Sequence, residues 1–347
     1  MIIIGCDLHT RSEQIALLNT ETGEFEERRL EHDDGEARRF YAGLKEPALV
    51  GIESTGYTRW FAEMLAELGH ELVVGEAGKI RAKETRKQKH DRRDAEHILN
   101  LLLRGDFPKI WLPSAEERDV RVLLEHRHQL VEMRTRAQNG LQAIALSYGL
   151  RRRRGLWSEA GQKELQKLPL REGRERRRAD LLRLVRQLNT WIQELDRGIQ
   201  LEVAQREEAR RLMTHPGVGP QTALAAVLVL GPVERFPDDR HVTSYLGLIP
   251  QEDSSAGRQR FGHLTKQGNR LLRWLLVEAA QTASRYDPRL RRAYRRLAFR
   301  KGRPVAKVAM ARKLAIRLYI MLRDKIDYRE FCRRGSHAGM PEEVALA

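Results

Sequence analysis

Two short apolar runs near the amino terminus each end on a carboxylate: Ile2-Ile3-Ile4-Gly5-Cys6-Asp7 and Ala48-Leu49-Val50-Gly51-Ile52-Glu53. Apolar runs of this length, rich in β-branched residues, read as buried strands. Between them, residues 14–19 form a second strand, Thr20-Glu21-Thr22-Gly23 a turn, and residues 25–30 a charged strand fit for a sheet edge, where ionic side chains are tolerated. Ala37, Phe40 and Leu44 predict a covering helix, Ser54-Thr55-Gly56 turns into a helix through Trp60, Leu65 and Leu68, and Glu71-Leu72-Val73-Val74 is a short fifth strand. After a basic connection (Lys79, Arg81, Lys83, Arg86, Lys87, Lys89), a helix starts near Asp91 and runs to about Leu103.

The start of that helix carries Asp91-Arg92-Arg93-Asp94. Carboxylates three residues apart share one helix face, one turn apart, and can hold a divalent cation. Alone the pair is weak evidence, because Asp favours first turns for capping and dipole reasons. Asp7 alone reads as a turn former, and Glu53 alone as a solvated strand end. Together, in the order βββαβαβα, the four acids match a ribonuclease-H-like arrangement, with ligands at the ends of central strands. Four converging acids repel unless cations lie between them, so the set predicts oxygen-ligated Mg²⁺, with Mn²⁺ as a substitute. Paired ions about 3.5–4 Å apart would activate a nucleophile and stabilise a leaving oxygen at a phosphodiester. His9, His90 and His97 read as polar neighbours or phosphate contacts, since no Cys/His spacing supports zinc.

With 347 residues the chain has room for two or three domains, and its formal charge of +16 calls for a polyanionic partner, nucleic acid first. No apolar run approaches the roughly 20 residues of a membrane span. Cys6 and Cys332 are too few for a disulfide framework, which fits a reducing cytoplasm, and Met1-Ile2-Ile3-Ile4 does not read as a secretory signal.

The middle of the chain reads as long charged helices. Leu181, Val185, Leu188, Ile192, Leu195 and Ile199 alternate spacings of four and three, a coiled-coil seam. Val120, Leu123, Leu130, Ala137 and Ile144 give a second seam, interrupted by Arg127 and Arg134, and the two can pair within one chain or between chains. Arg151, Arg152, Arg153 and Arg154, with Arg171 to Arg178, bracket the tip; Trp157 beside them favours contact with a nucleic-acid backbone, RNA or DNA, over a merely solvated face.

Farther on, His215-Pro216-Gly217-Val218-Gly219-Pro220 has the form of a helix-hairpin-helix, where Gly217 and Gly219 admit phosphate and the next helix aims its N–H groups at the anion; a tight turn between packed helices is the plainer reading. The segment Ser254-Ser255-Ala256-Gly257-Arg258-Gln259-Arg260, followed by Thr265, Lys266, Asn269, Arg270 and Arg273, reads as a phosphate-binding loop. Arg289 to Arg303 reads as a basic helix for backbone contact or as a solvated surface.

These pieces, in this order, resemble the DEDD-type transposases of the insertion-sequence 110 family, the bridge-RNA-guided recombinases. The resemblance rests on Gly5-Cys6-Asp7, Gly51-Ile52-Glu53-Ser54-Thr55-Gly56, Lys89-His90-Asp91-Arg92-Arg93-Asp94-Ala95, the Pro216–Pro220 hairpin and the segment from Ser254 to Arg273. It implies a RuvC-like domain with the tetrad Asp7, Glu53, Asp91 and Asp94, and a second domain whose serine attacks DNA covalently. Ser255 is the first choice, standing just before a glycine-containing turn, and Ser254 the second, because Ala256 fills a glycine position. It also implies a structured guide RNA that pairs with target and donor DNA, and a homo-oligomer, dimer or tetramer. Two departures stand out: His90 where Thr is common, and His215 where an aliphatic residue usually precedes the proline.

The expected fold class is α/β plus α: a RuvC-like domain over 1–110, a coiled-coil region over 111–208, a mostly helical domain with the serine loop over 209–332, and a mobile tail over 333–347. The expected function is RNA-guided excision and insertion of a mobile DNA element. The rival enzyme is a metal-dependent nuclease or junction resolvase that hydrolyses DNA with water; a non-catalytic nucleic-acid-binding protein comes third. An actin-like ATPase ranks low, because Asp7-Leu8-His9-Thr10 has no glycine to admit phosphate.

Overall fold

The structure, a computed structural model, describes residues 1–83, 91–151, 155–252 and 260–334, without the side chains of Asp91, Arg92 and Phe261. The chain divides into two compact units, Met1–Leu112 and Pro113–Ala347.

The first unit runs β1 (Ile2–Leu8), β2 (Ser12–Asn19), β3 (Phe25–Glu31), α1 (Glu36–Ala42), β4 (Ala48–Glu53), α2 (Thr58–Glu67), β5 (Glu71–Gly75), α3 (Ala77–Ala82) and α4 (Asp91–Leu103). Its sheet has the order β3-β2-β1-β4-β5; β2 pairs antiparallel with β1 and β3, and β4 pairs parallel with β1 and β5. The two apolar runs are β1 and β4, the interior strands, and charged β3 takes an edge with Leu30 alone buried. Alternation assigns the faces. Ile4, Cys6 and Leu8 of β1, Ile15 and Leu17 of β2, and Val50 and Ile52 of β4 pack with Tyr41, Phe61 and Leu65 of α1 and α2. Ile3 and Ala16 face Ala95 and Leu99 of α4 on the other side. The connection expected to be only basic begins with α3, whose Ile80 is buried with Val73, Ile98 and Phe107.

The second unit runs α5 (Ala115–Ser147), α6 (Glu159–Gln166), α7 (Glu172–Gln205), α8 (Glu207–Met213), α9 (Pro220–Leu230), a 3₁₀ turn (Val233–Arg235), α10 (Asp239–Tyr245), β6 (Pro250–Glu252), β7 (Phe261–Leu264), α11 (Arg270–Tyr286), α12 (Pro288–Lys301), α13 (Arg303–Arg323) and α14 (Tyr328–Arg334). A capping box of Ser114 and Glu117 starts α5. Helices α5 and α7 pair within one chain as an antiparallel hairpin. Arg127 of α5 meets Asp196 of α7 at 2.9 Å and Arg134 meets Asn189 at 3.0 Å, so the two arginines that interrupt the seam find polar partners across it. Leu182 and Val203 join the buried stripe of α7, while Leu181 and Leu195 sit at its flank, the drift expected of a 3.6-residue helix against a 3.5-residue repeat. At the hairpin base Val120, Leu124, Ile199 and Val203 share a core with α9, α11 and α13. Among the described residues no helix is long and apolar enough to cross a membrane. Residues 335–347, most of the expected tail, lie outside the described residues.

Candidate active site

Parallel pairing of β1 with β4 sets Cys6 opposite Ile52, so Asp7 and Glu53, one residue on, end neighbouring strands. Both fall on the face that α4 covers, with Ile3 and Gly5 in β1 and Leu49 and Gly51 in β4. Two glycines let the helix down onto the sheet. A Cβ on Gly5 would stand 2.2 Å from the Ala95 carbonyl oxygen, and one on Gly51 would stand 2.6 Å from the Leu102 side chain. Ala95 therefore lies on Gly5, two residues before Asp7, and half-buried Asp94 is its chain neighbour. Asp91 opens the same helix, its side chain outside the described residues.

Asp7 and Glu53 remain reachable, with side chains 19% and 27% exposed. Each faces a basic side chain. His9 Nε2 lies 3.1 Å from Asp7 Oδ2, and Arg81 of α3 donates to Glu53 Oε1 at 3.0 Å. Tyr57 donates to the Leu8 carbonyl at 3.1 Å, fixing the end of β1. His97, read from sequence as a neighbour of the acids, has its Nε2 3.1 Å from the Ile80 carbonyl and ties α4 to α3. Carboxylate donors fit a hard cation in kind. Among the described residues no three acid, histidine or cysteine side chains stand close enough together to hold a metal ion. Arg81 was legible only as part of a basic stretch; its pairing with Glu53 depends on a helix the sequence did not announce.

Two family models match the chain. One, described as a transposase of the DEDD type in IS110 elements, covers residues 4–149, and one described as the transposase IS116/IS110/IS902 family covers 209–295. A probable family 20 transposase of Pseudomonas aeruginosa is 32% identical, over 85% of this chain and 89% of its own length. The transposase for insertion sequence element IS1111A of Coxiella burnetii is 28% identical over 70% of this chain and 68% of its own. That for IS1328 of Yersinia enterocolitica is 28% identical over 68% and 70%. The chain belongs to the IS110 family of DNA transposases.

In this transposase the serine segment links the two strands of a ribbon, β6 and β7, paired antiparallel with Pro250 opposite Leu264 and Glu252 opposite Phe261. Ser254, Ser255 and Arg258 lie outside the described residues, and Arg260 follows them as an exposed residue. Thr265 N–H bonds the Ile249 carbonyl, and Lys266 takes a left-handed φ of 54°. Asn269 caps α11, accepting from Leu272 N–H at 2.8 Å. Arg273 turns inward, donating to the carbonyls of Leu246, Gln267 and Gly268. Of the cations read as phosphate contacts here, Lys266 and Arg270 stay at the surface while Arg273 clasps the loop.

The glycine hairpin joins α8 to α9. Gly217, at φ 86°, faces α11: a Cβ there would meet Ala283 N at 2.6 Å and the Ala279 carbonyl oxygen at 2.7 Å, so its bareness serves helix packing. Gly219 faces open space and caps α9, with Pro220 in the first turn. His215 before the hairpin is 1% exposed. Its Nδ1 lies 2.9 Å from the Pro216 carbonyl and its Nε2 3.3 Å from Arg317, so the neutral Nδ1–H tautomer satisfies both. Arg317 and Tyr328 each donate to Asp287 Oδ2 at 2.6 Å, and Asp287 Oδ1 caps Leu290 N–H of α12. Arg151 at the far hairpin tip is exposed, and Arg152, Arg153 and Arg154 lie outside the described residues.

Proposed function

We propose that this transposase excises and inserts its DNA element under the direction of a structured guide RNA, with Asp7, Glu53, Asp91 and Asp94 as metal ligands and Ser255 as the nucleophile. The observation that carries the reading is the placing of Asp7 and Glu53 at adjacent parallel strand ends on the face closed by α4. The strand order β3-β2-β1-β4-β5 is what a RuvC-like, ribonuclease-H-like unit requires and supports that assignment. Bound Mg²⁺, or Mn²⁺ in its place, would supply charge stabilisation at the scissile phosphate. The protein's own part is positional. Tyr57 and the glycine contacts of α4 hold the acids, Arg81 offsets the Glu53 charge, and His9 contacts Asp7 until the cation and DNA arrive.

In the covalent step the Ser255 oxygen bonds to phosphorus while the bond to the leaving deoxyribose oxygen breaks. The serine proton leaves with that hydroxyl, and a strand hydroxyl later reverses the exchange. Because the phosphoester is conserved, rejoining needs no outside energy. Lys266 and Arg270, with Arg258 and Arg260, would offset charge at that phosphate, and the amino terminus of α9 at Gly219 would contact the DNA backbone. Acid site and serine would come from different subunits of an oligomer. The test incubates the full chain with guide RNA, Mg²⁺ and paired DNA sites, then denatures it. A protein–DNA adduct that survives, and that the double substitution Ser254→Ala and Ser255→Ala abolishes, is expected. Recombination by the double variant at the wild-type level would remove the covalent step and leave hydrolysis.

A further inference from the structure

Most basic helices of this chain carry their own acids. Arg176 pairs with Asp180 in α7, Arg211 with Glu207 in α8, and Arg333 and Arg334 with Glu330 in α14. Helix α12 does not. Its sequence, Pro-Arg-Leu-Arg-Arg-Ala-Tyr-Arg-Arg-Leu-Ala-Phe-Arg-Lys, has seven cations and no acid, and among the described residues none of the seven makes an ion pair with a carboxylate. Arg291 and Arg295, Arg292 and Arg296, and Arg296 and Arg300 are like charges four residues apart, an arrangement that destabilises a helix standing alone. Leu290 is its sole fully buried side chain, while Phe299 is 94% exposed at the carboxyl-terminal end, flanked by Arg295, Arg296 and Arg300. Tyr286, 69% exposed, ends the preceding helix. Between α11 and α12 lies an open cleft of about 420 Å³ lined by Gln281, Ser284, Arg285, Arg291, Tyr294 and Arg295, without a carboxylate.

We propose that this surface binds a single-stranded stretch of nucleic acid, with phosphates held by Arg285, Arg291 and Arg295 along the cleft and an unpaired base stacked on Phe299. Guanidinium groups grip phosphate oxygens in pairs, which suits a helix built from Arg with only one Lys. A polyanion would also remove the mutual repulsion that α12 bears when bare. The exposed aromatic decides between single strand and duplex. A Phe ring standing in water gains by stacking on a base face, and a duplex keeps its base faces covered. The assignment requires neither the acidic site nor the serine, so its success or failure is independent of the chemistry proposed above.

Binding of the full chain to short labelled oligonucleotides, single-stranded RNA, single-stranded DNA and duplex DNA of one sequence, without metal and over a range of salt, tests it. Phe299→Ala is expected to weaken single-strand binding roughly tenfold, leave duplex binding unchanged and be rescued by Phe299→Trp. The pair Arg291→Ala and Arg295→Ala should lower the slope of log affinity against log salt by about 1.4, close to 0.7 for each phosphate released. Preference for the RNA strand would point to the guide as occupant, and preference for the DNA strand to a strand opened during recombination. Single-strand affinity and salt slope that stay at wild-type values in both variants, or a loss equal for duplex and single strand, would overturn the proposal.

Discussion

Each unit of this transposase sets a histidine in a polar cluster, half-buried His32 in the first and buried His215 in the second, and the two clusters push in opposite directions. His32, in the first unit, lies with its ring 3.8 Å from the carboxylate of Glu13, a fully buried residue of β2 that Cys6 also contacts at 3.5 Å. The side chain of Glu13, by hydrogen bonding and then by its charge, raises the His32 pKa above its ordinary value against the opposing effect of burial. His215, in the second unit, contacts the Arg317 guanidinium, which stands between it and Asp287. Burial, helped by the charge of Arg317, brings its pKa down to about 4, and the ring stays neutral. Saturation differs as well. Among the described residues Glu13 Oε1 and Tyr41 Oη find no hydrogen-bond partner, whereas Asp287 beside His215 takes bonds from Arg317, Tyr328 and the Leu290 amide. A buried charge contributes to stability when its remaining lone pairs are satisfied, and otherwise stores cost. The second unit should therefore be the more sensitive to losing its acid.

Asp287→Ala tests that at its strongest. It strands the Arg317 guanidinium, frees the Tyr328 hydroxyl and removes the cap of α12, so unfolding should become about 3–5 kcal/mol easier. Burial would raise the Asp287 pKa, but the Tyr328 and Arg317 bonds lower it to about 2, so the stability it confers persists down to about pH 4 and is lost towards pH 2. Urea unfolding of the full chain, read by hydrogen exchange in peptides of α12 and α13, measures the loss. An effect under 1 kcal/mol would mean the cluster is held by packing alone.

The histidines themselves give the next largest effect. For His215 the unfolded chain binds the proton more readily than the folded one between pH 6.5 and about 4, so stability falls as pH drops through that window. The full fall is about 3 kcal/mol. For His32 the sign reverses: its contribution is complete below pH 6.5 and is lost as pH rises through the elevated folded value. Opening free energies from hydrogen exchange, corrected for the intrinsic pH dependence, should slope oppositely in peptides of α9 and of β2. His215→Gln should flatten the first slope. An acid slope that survives this substitution would belong to other groups.

Glu13→Gln sharpens the comparison from the other side. Removing the carboxyl group that raises the His32 pKa should abolish the alkaline slope at His32 and cost only about 1–2 kcal/mol near pH 6, since a poorly satisfied buried group is replaced by an amide of the same shape. A loss as large as that of Asp287→Ala would show that the Glu13 cluster is as well satisfied as the Asp287 cluster.

What could be read beforehand follows the same line. β1 and β4, and the placing of Asp7 and Glu53 at their ends, were legible because an apolar run and the two-residue pleat are local properties of sequence. The seam of α7 was legible for the same reason, apart from a drift at Leu181 and Leu195. Glu13 was not, because nothing in Ser12-Glu13-Gln14 announces that three successive polar residues are buried. Arg273 read as a phosphate contact and proved to clasp carbonyls from two loops, a role set by residues up to 27 positions away. His215 read as a departure from an aliphatic position. Neutral and buried, it fills that position much as an aliphatic side chain would, with its two ring nitrogens answered by Pro216 and Arg317.

The smallest stability effect belongs to a pair at the rim. Arg81 and Glu53 form an exposed salt bridge, with side chains 68% and 27% accessible, and such pairs contribute about 0–1 kcal/mol. Arg81→Ala should therefore leave the unfolding midpoint almost where it was, in contrast to either buried cluster. Its effect should appear in ion binding, if Glu53 holds a cation as proposed. The guanidinium occupies Glu53 Oε1, the same oxygen an ion would take, and its removal takes away one competing positive charge. Titration calorimetry should then show Mn²⁺ binding more tightly to the variant than to the wild-type chain, by severalfold, with Asp7→Asn reversing the gain. Weaker Mn²⁺ binding by Arg81→Ala would assign the arginine the opposite task, that of holding the carboxylate in place for the ion.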